Sequence, residues 1–135
     1  MTLTLPTPVL PDPTAVPALK WGIVGTGIAR GFVSALHRVT RQTAVAVTAR
    51  DEAKTRAFAA SLGIERVHPS VEALVNDPGI DVVYIATPHP LHREQALAAI
   101  AAGKHVLIEK PIAMSADEAR EVTAAGAAAG LMVME

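Results

Sequence analysis

The stretch "GIVGTGIARGF", Gly22 to Phe32, joins the end of an apolar run to the start of a helical pattern. From its second half onward Ile28, Phe32, Val33 and Leu36 recur at the spacing of one helix face. A strand that stops in Gly25-Thr26-Gly27 and passes at once into a helix turns its first helical amides toward whatever lies above the strand. Those amides and the helix dipole attract an anion. Gly25 suits the tight turn, and Gly27 lets a pyrophosphate approach the backbone. The third small residue of this dinucleotide pattern falls at Arg30, a departure, with Ala29 and Gly31 on either side to serve close helix packing. A glycine turn between strand and helix is often only a turn, so its surroundings decide the reading.

Those surroundings alternate short β-branched runs with longer amphipathic ones, the rhythm of a parallel sheet with crossover helices. Six strands are predicted: 19–26, 43–50, a weak one at 66–68, 81–87, 105–109 and 131–135. "VVYIA" and "LMVM" are continuously apolar, as strands covered on both faces are. Between them, "DEAKTRAFAASLG" stops at Gly63 and "HREQALAAIAAG" at Gly103. "SADEAREVTAAGAAAG" opens with a capping box, Ser115 with Glu118, and closes at Gly130. The expected fold is α/β, a doubly wound Rossmann sheet of order 3-2-1-4-5-6 over residues 19–135.

Composition narrows the partners. The chain has 135 residues, half of them apolar, and a formal net charge of −1, so neither nucleic acid nor an acidic membrane surface is expected as a partner. No apolar stretch approaches the roughly 20 residues of a membrane helix, and the protein is expected to be soluble. Without cysteine there is no disulfide framework and no thiolate chemistry, which is compatible with a cytoplasmic protein. Pro6, Pro8, Pro11, Pro13 and Pro17 interrupt the first 18 residues, which lack a basic start and read as a proline-rich arm, not a signal peptide.

Three further loops fall on the carboxyl edge of the predicted sheet. The second strand runs into Ala49-Arg50-Asp51, about 20 residues beyond the glycines, where an acid would favour NAD. Ala49 offers no carboxylate, whereas the Arg50 fork suits a 2′-phosphate and leans toward NADP. The alternatives are a solvated Arg50 and an Asp51 that caps the next helix. "ATPHPLH", residues 86–92, follows the fourth strand at the switch point beside the glycine turn, so Thr87 and His92 are candidates for the ribose or nicotinamide side. His89 and His92 have the spacing of a metal pair, but no third ligand accompanies them; helix capping or cofactor contact is preferred, and no metal is expected. The fifth strand ends Glu109-Lys110-Pro111. That lysine could be a mere surface charge, but four loops bring glycines or polar groups to one edge of one sheet.

"GIVGTGIA", "ARD", "ATPHPLH", "AAGKHVLIEKP" and "LMVME", in this order and spacing, resemble the N-terminal domain of the Gfo/Idh/MocA oxidoreductase family. "VTARD", "YIATPHPLH" and "MVME" are most similar to its dihydrodiol and sugar dehydrogenase branch. The resemblance covers residues 19–135, and "EKP" after "AGKHV" is its most specific part. It implies that Gly25, Thr26, Gly27, Ile28 and Ala29 hold pyrophosphate, and that Ala49-Arg50 take the adenosine ribose of NADP, with NAD the other option. Thr87, Pro88 and His92 would line the nicotinamide ribose, and Glu109 and Lys110 would sit beside the nicotinamide. Lys110 would be catalytic, with the Lys110-Pro111 bond cis. The implied reaction moves hydride between the nicotinamide and a carbinol carbon of a small-molecule sugar, polyol or diol. Family members continue into a C-terminal α/β domain that walls the substrate and mediates homo-oligomerisation, so these 135 residues alone are expected to be inactive. A freestanding, non-catalytic dinucleotide-binding or redox-sensing module is the alternative. A methyltransferase using S-adenosylmethionine shares the glycine turn but gives Glu109-Lys110-Pro111 no role.

Overall fold

The computed structural model describes residues 12–135. Six parallel strands form one sheet: β1 (Lys20–Val24), β2 (Thr43–Thr48), β3 (Arg66–Val67), β4 (Val82–Ile85), β5 (His105–Ile108) and β6 (Val133–Met134). Their order is β3-β2-β1-β4-β5-β6, as the alternating pattern predicts. Five α-helices connect them: α1 (Ala29–Val39), α2 (Glu52–Leu62), α3 (Val71–Val75), α4 (His92–Ala101) and α5 (Ala116–Ala128). A single 3₁₀ turn, His89–Leu91, leads into α4. The strands are shorter than the apolar runs by one to three residues, lost at either end. Of the predicted arm, residues 1–11 lie outside the described residues. The Gln42 side chain accepts from the Leu19 amide and donates to the Pro17 carbonyl, fixing the approach to β1.

The period of two along each strand divides the core into two. Ile23, Val47 and Tyr84 point to the side of α1 and α2, where they meet Val33, Leu36 and Phe58. Val24, Ala46, Val83, Ile85, Val106 and Ile108 point to the other side, against α3, α4 and α5. All four residues of β4 are buried, which explains why "VVYI" shows no alternation of polarity. Helix ends follow their punctuation. The Asp51 carboxylate accepts from the Lys54 amide and caps α2, and Gly63 ends that helix in the left-handed region. At α5 the Ser115 hydroxyl accepts from the Glu118 amide as expected, but Glu118 reaches back to the Met114 amide, one residue beyond the reciprocal partner of a capping box.

Lys104, in "AGKHV", is buried, and its ammonium donates to the carbonyls of Asp77 and Ile80. It ties the turn before β5 to the turn before β4, at the edge opposite the glycine loop. Asp77 closes the same corner: its carboxylate takes the Gly79 amide, Arg66 and His68.

Candidate functional site

From β1 the chain moves outward on one side to β2 and β3, then crosses back to β4 on the other side of β1. The ends of β1 and β4 therefore diverge and open a crevice. Gly25 sits at their closest approach with φ of +94°. A Cβ there would lie 2.5 Å from the Ala86 carbonyl oxygen and 2.8 Å from its carbon, so only glycine fits. Gly27 is the opposite case, since a Cβ there would meet nothing within 4 Å. Ile28 stands at the N-cap of α1 and offers no side-chain acceptor to the first-turn amides. These amides, the open space over Gly27 and the positive end of α1 make an anion seat that the protein itself leaves free.

The departure at Arg30 is resolved one residue earlier. Ala29 is fully buried and gives the close packing of α1, while a Cβ added at Gly31 would meet nothing within 4 Å. Arg30 points outward, donating to the Ser61 hydroxyl at 3.0 Å with its guanidinium over the Phe58 ring.

A crevice of about 630 Å³ runs over this turn, lined among others by Gly25, Gly27, Arg50, Thr87, Pro88 and Gln95. At its β2 end Arg50 is exposed and has no hydrogen bond or ion pair among the described residues. Asp51 is committed elsewhere: the Lys54 amide holds its carboxyl below the ordinary carboxylate value, and the Lys54 ammonium lies 3.4 Å away. Asp51 thus takes the capping role, and Arg50 is an unengaged cation lining the crevice. Lys54 adds a second cation that sequence reasoning missed, although its place one turn into α2 from Arg50 was the available signal.

At the β4 end Thr87 and Pro88 line the crevice, and the Thr87 hydroxyl donates to Gln95 on α4 at 2.6 Å. His92 departs from the expected contact with a ligand. Its ring is fully buried, with Nδ1 2.9 Å from the Pro111 carbonyl and Nε2 2.9 Å from the Thr87 carbonyl. The ring therefore joins the loop after β4 to the loop after β5 and presents no free nitrogen to a cofactor or a metal. His89 packs edge-on to it at 5.5 Å between ring centroids.

Glu109 and Lys110 follow β5 on the same edge, one strand beyond the Thr87 loop and outside the crevice lining. The Glu109 amide donates to the Ile85 carbonyl, continuing the ladder past the strand end, and its carboxylate accepts from the Tyr84 hydroxyl. Lys110 is exposed, and the Lys110-Pro111 bond is cis.

A Rossmann sheet with a free anion seat at the first helix, and cations at the end of the second strand, defines a dinucleotide-binding domain. The chain belongs to the Gfo/Idh/MocA family: residues 19–135 match the family described as "Oxidoreductase family, NAD-binding Rossmann fold". It is 44% identical over 115 residues to the 1,5-anhydro-D-fructose reductase of Ensifer adhaerens, covering 84% of this chain and 34% of that protein. It is 42% identical over 121 residues to the trans-1,2-dihydrobenzene-1,2-diol dehydrogenase of Mus musculus, covering 87% and 36%. Among solved structures, an NAD binding oxidoreductase from Klebsiella pneumoniae superposes with a TM-score of 0.82 at 37% identity, covering 87% of this chain and 34% of that one. A biliverdin reductase from Synechocystis, solved with biliverdin and NADP+, gives 0.75 at 37% identity, covering 86% and 37%. The chain spans about a third of the length of the curated relatives it matches. No helix among the described residues is long and apolar enough to cross a membrane.

Proposed function

We propose that this NAD(P)-binding domain takes NADP in preference to NAD and serves an oxidoreductase that moves hydride between the nicotinamide and a carbinol carbon of a sugar, polyol or diol. The observation that carries the cofactor part is the free anion seat over Gly27 beside an unengaged Arg50. The substrate class rests on the names of the relatives, a sugar-derived ketone reductase and a diol dehydrogenase.

In this reading the turn from Gly25 to Ala29 binds the pyrophosphate through the amides that follow Gly25, whose own amide donates to the Thr48 carbonyl, and Arg50, with Lys54 behind it, takes the 2′-phosphate. Thr87 and Pro88 border the nicotinamide ribose, while His92 holds their loop in place from beneath. When bound, the dinucleotide supplies the hydride donor or acceptor. Lys110, exposed at the end of β5, moves the proton of the substrate hydroxyl, stabilising the oxygen on which negative charge develops. The curated relatives are about three times the length of this chain, and in a protein of that length the substrate wall and the contacts between subunits would fall to the part these residues do not span; the cysteine-free chain suits a cytoplasmic setting.

Calorimetric titration tests the cofactor assignment. One charged, bidentate-capable contact is worth about 1.5 to 3 kcal/mol, so NADPH is expected to bind more than about tenfold tighter than NADH. The difference should shrink in Arg50→Ala. Equal affinities of the wild-type chain for the two would reject the assignment.

A further inference from the structure

Tyr84 is the only tyrosine of the chain and lies in the middle of the most buried strand, at 2% exposure. Its ring packs on Phe32 of α1, 4.1 Å between centroids, and Phe32 in turn packs on Trp21. This stack accounts for an aromatic ring at position 84 but not for a hydroxyl, since phenylalanine would fill the same space without a polar group to satisfy. The hydroxyl has one side-chain partner, the Glu109 carboxylate. Register explains the reach: Tyr84 pairs with Leu107, so Glu109, just past the end of β5, is the next residue on the same sheet face. Burial, then the neighbouring Glu109 carboxylate, pushes the phenol well above the ordinary tyrosine value, so it remains a donor throughout the working pH range. The Glu109 backbone is fixed as well, through its amide on Ile85. A carboxylate held at both backbone and side chain thus stands directly before the exposed Lys110.

We propose that Tyr84 is a positioning residue: its hydroxyl holds the Glu109 carboxylate at the carboxyl edge of the sheet, level with Ala86 and one strand from the crevice, where the fixed negative charge favours the oxidised, cationic nicotinamide over the reduced, neutral one. This rests on the dinucleotide reading given above. Tyr84 touches neither cofactor nor substrate and acts only through Glu109. Lys110 supplies the opposite charge on the adjacent residue, so the orientation of Glu109 decides which sign the nicotinamide ring meets.

The test is calorimetric titration of the 135-residue chain with NADP+ and with NADPH, for wild type, Tyr84→Phe, Glu109→Gln and the double variant. Tyr84→Phe keeps the ring on Phe32 and the fold with it. Removing one partly screened charge contact should weaken NADP+ binding about tenfold in Glu109→Gln, and about threefold or more in Tyr84→Phe, where the carboxylate is only freed. NADPH affinity should change less than about twofold in both. The double variant should match Glu109→Gln alone, because Tyr84 has nothing else to act through. The phenolic proton of the single tyrosine should resonate downfield in wild type and move upfield in Glu109→Gln, as a charged acceptor becomes a neutral one.

Equal losses for NADP+ and NADPH in Tyr84→Phe, or effects that add in the double variant, would overturn the inference and leave a purely structural tyrosine. An unchanged ratio in Tyr84→Phe beside a changed one in Glu109→Gln would also overturn it, while the dinucleotide reading stood. If neither nucleotide bound the wild-type chain, that reading would fall and take the inference with it.

Discussion

Gly25 and Gly27 lie two residues apart in one turn, and their substitution by alanine should separate folding from binding. At Gly25 the added Cβ falls 2.5 Å from the Ala86 carbonyl oxygen and 3.1 Å from Thr87 Cγ2, and the backbone has φ of +94°. The positive φ costs alanine about 1 to 2 kcal/mol. Pushing the end of β1 away from backbone that cannot rotate aside adds about 1 to 3 kcal/mol. Gly25→Ala should therefore destabilise the chain by about 2 to 5 kcal/mol, a large share of the roughly 5 to 15 kcal/mol that holds a domain of this size. At Gly27 the added Cβ meets nothing, so urea denaturation should show a change within about 0.5 kcal/mol. Binding should respond in the reverse manner. The methyl of Gly27→Ala occupies the space between the first amides of α1 and an approaching pyrophosphate, and forfeits at least one charge-assisted hydrogen bond worth about 1.5 to 3 kcal/mol. NADPH affinity should fall about ten- to a hundredfold in a calorimetric titration. A Gly27→Ala chain that binds NADPH as wild type does would show that no phosphate approaches this backbone. A Gly25→Ala chain of wild-type stability would refute the contact between the ends of β1 and β4.

His92→Phe should lower stability by about 1 to 3 kcal/mol, because it removes the buried ring nitrogens that lie between the Thr87 and Pro111 carbonyls and tie the two loops together; thermal and urea unfolding check it. Burial alone would raise the Asp77 carboxyl, but the Gly79 amide, His68 and Arg66 outweigh it and hold it below the ordinary carboxylate value. The stability it contributes is therefore full above that ordinary value and lost as pH falls through the lowered one, and Asp77→Asn should flatten the acid limb of a stability profile. In a longer protein that carries the substrate wall, Lys110→Ala should cut kcat about a hundredfold, in the range for general acid-base groups, with little change in NADPH affinity. Near-normal kcat with lost NADPH affinity would instead make Lys110 a binding residue.

The strands that place the site were legible because they are buried on both faces. "KWGIV", "TAVAVT", "VVYI" and "HVLI" read as apolar runs, and their ends gave the carboxyl edge and its loops. Helix α3 was not read, since five residues are too few to show a helical period, although Ser70 as its cap before Val71, Leu74 and Val75 was a signal. A histidine in a loop between strand and helix suggests chemistry, and on that signal the sequence directs His92 toward a ligand. Its spacing to Ala96, Ala99 and Ile100, all buried on one face of α4, pointed inward instead. The Tyr84 hydroxyl could not have been placed, because "VVYI" shows an apolar strand and says nothing of a partner 25 residues later.

The central claim, that the carboxyl edge of this sheet binds a nicotinamide dinucleotide across the β1–β4 crevice, is tested most directly by following the backbone amide resonances of the isotope-labelled chain as NADPH is added. Saturable shifts are expected at Gly25 to Ala29, at Arg50 and Lys54, and at Thr87, with the Asp77 and Lys104 corner at the opposite edge unmoved. No saturable shift, or shifts centred on that corner, would contradict it.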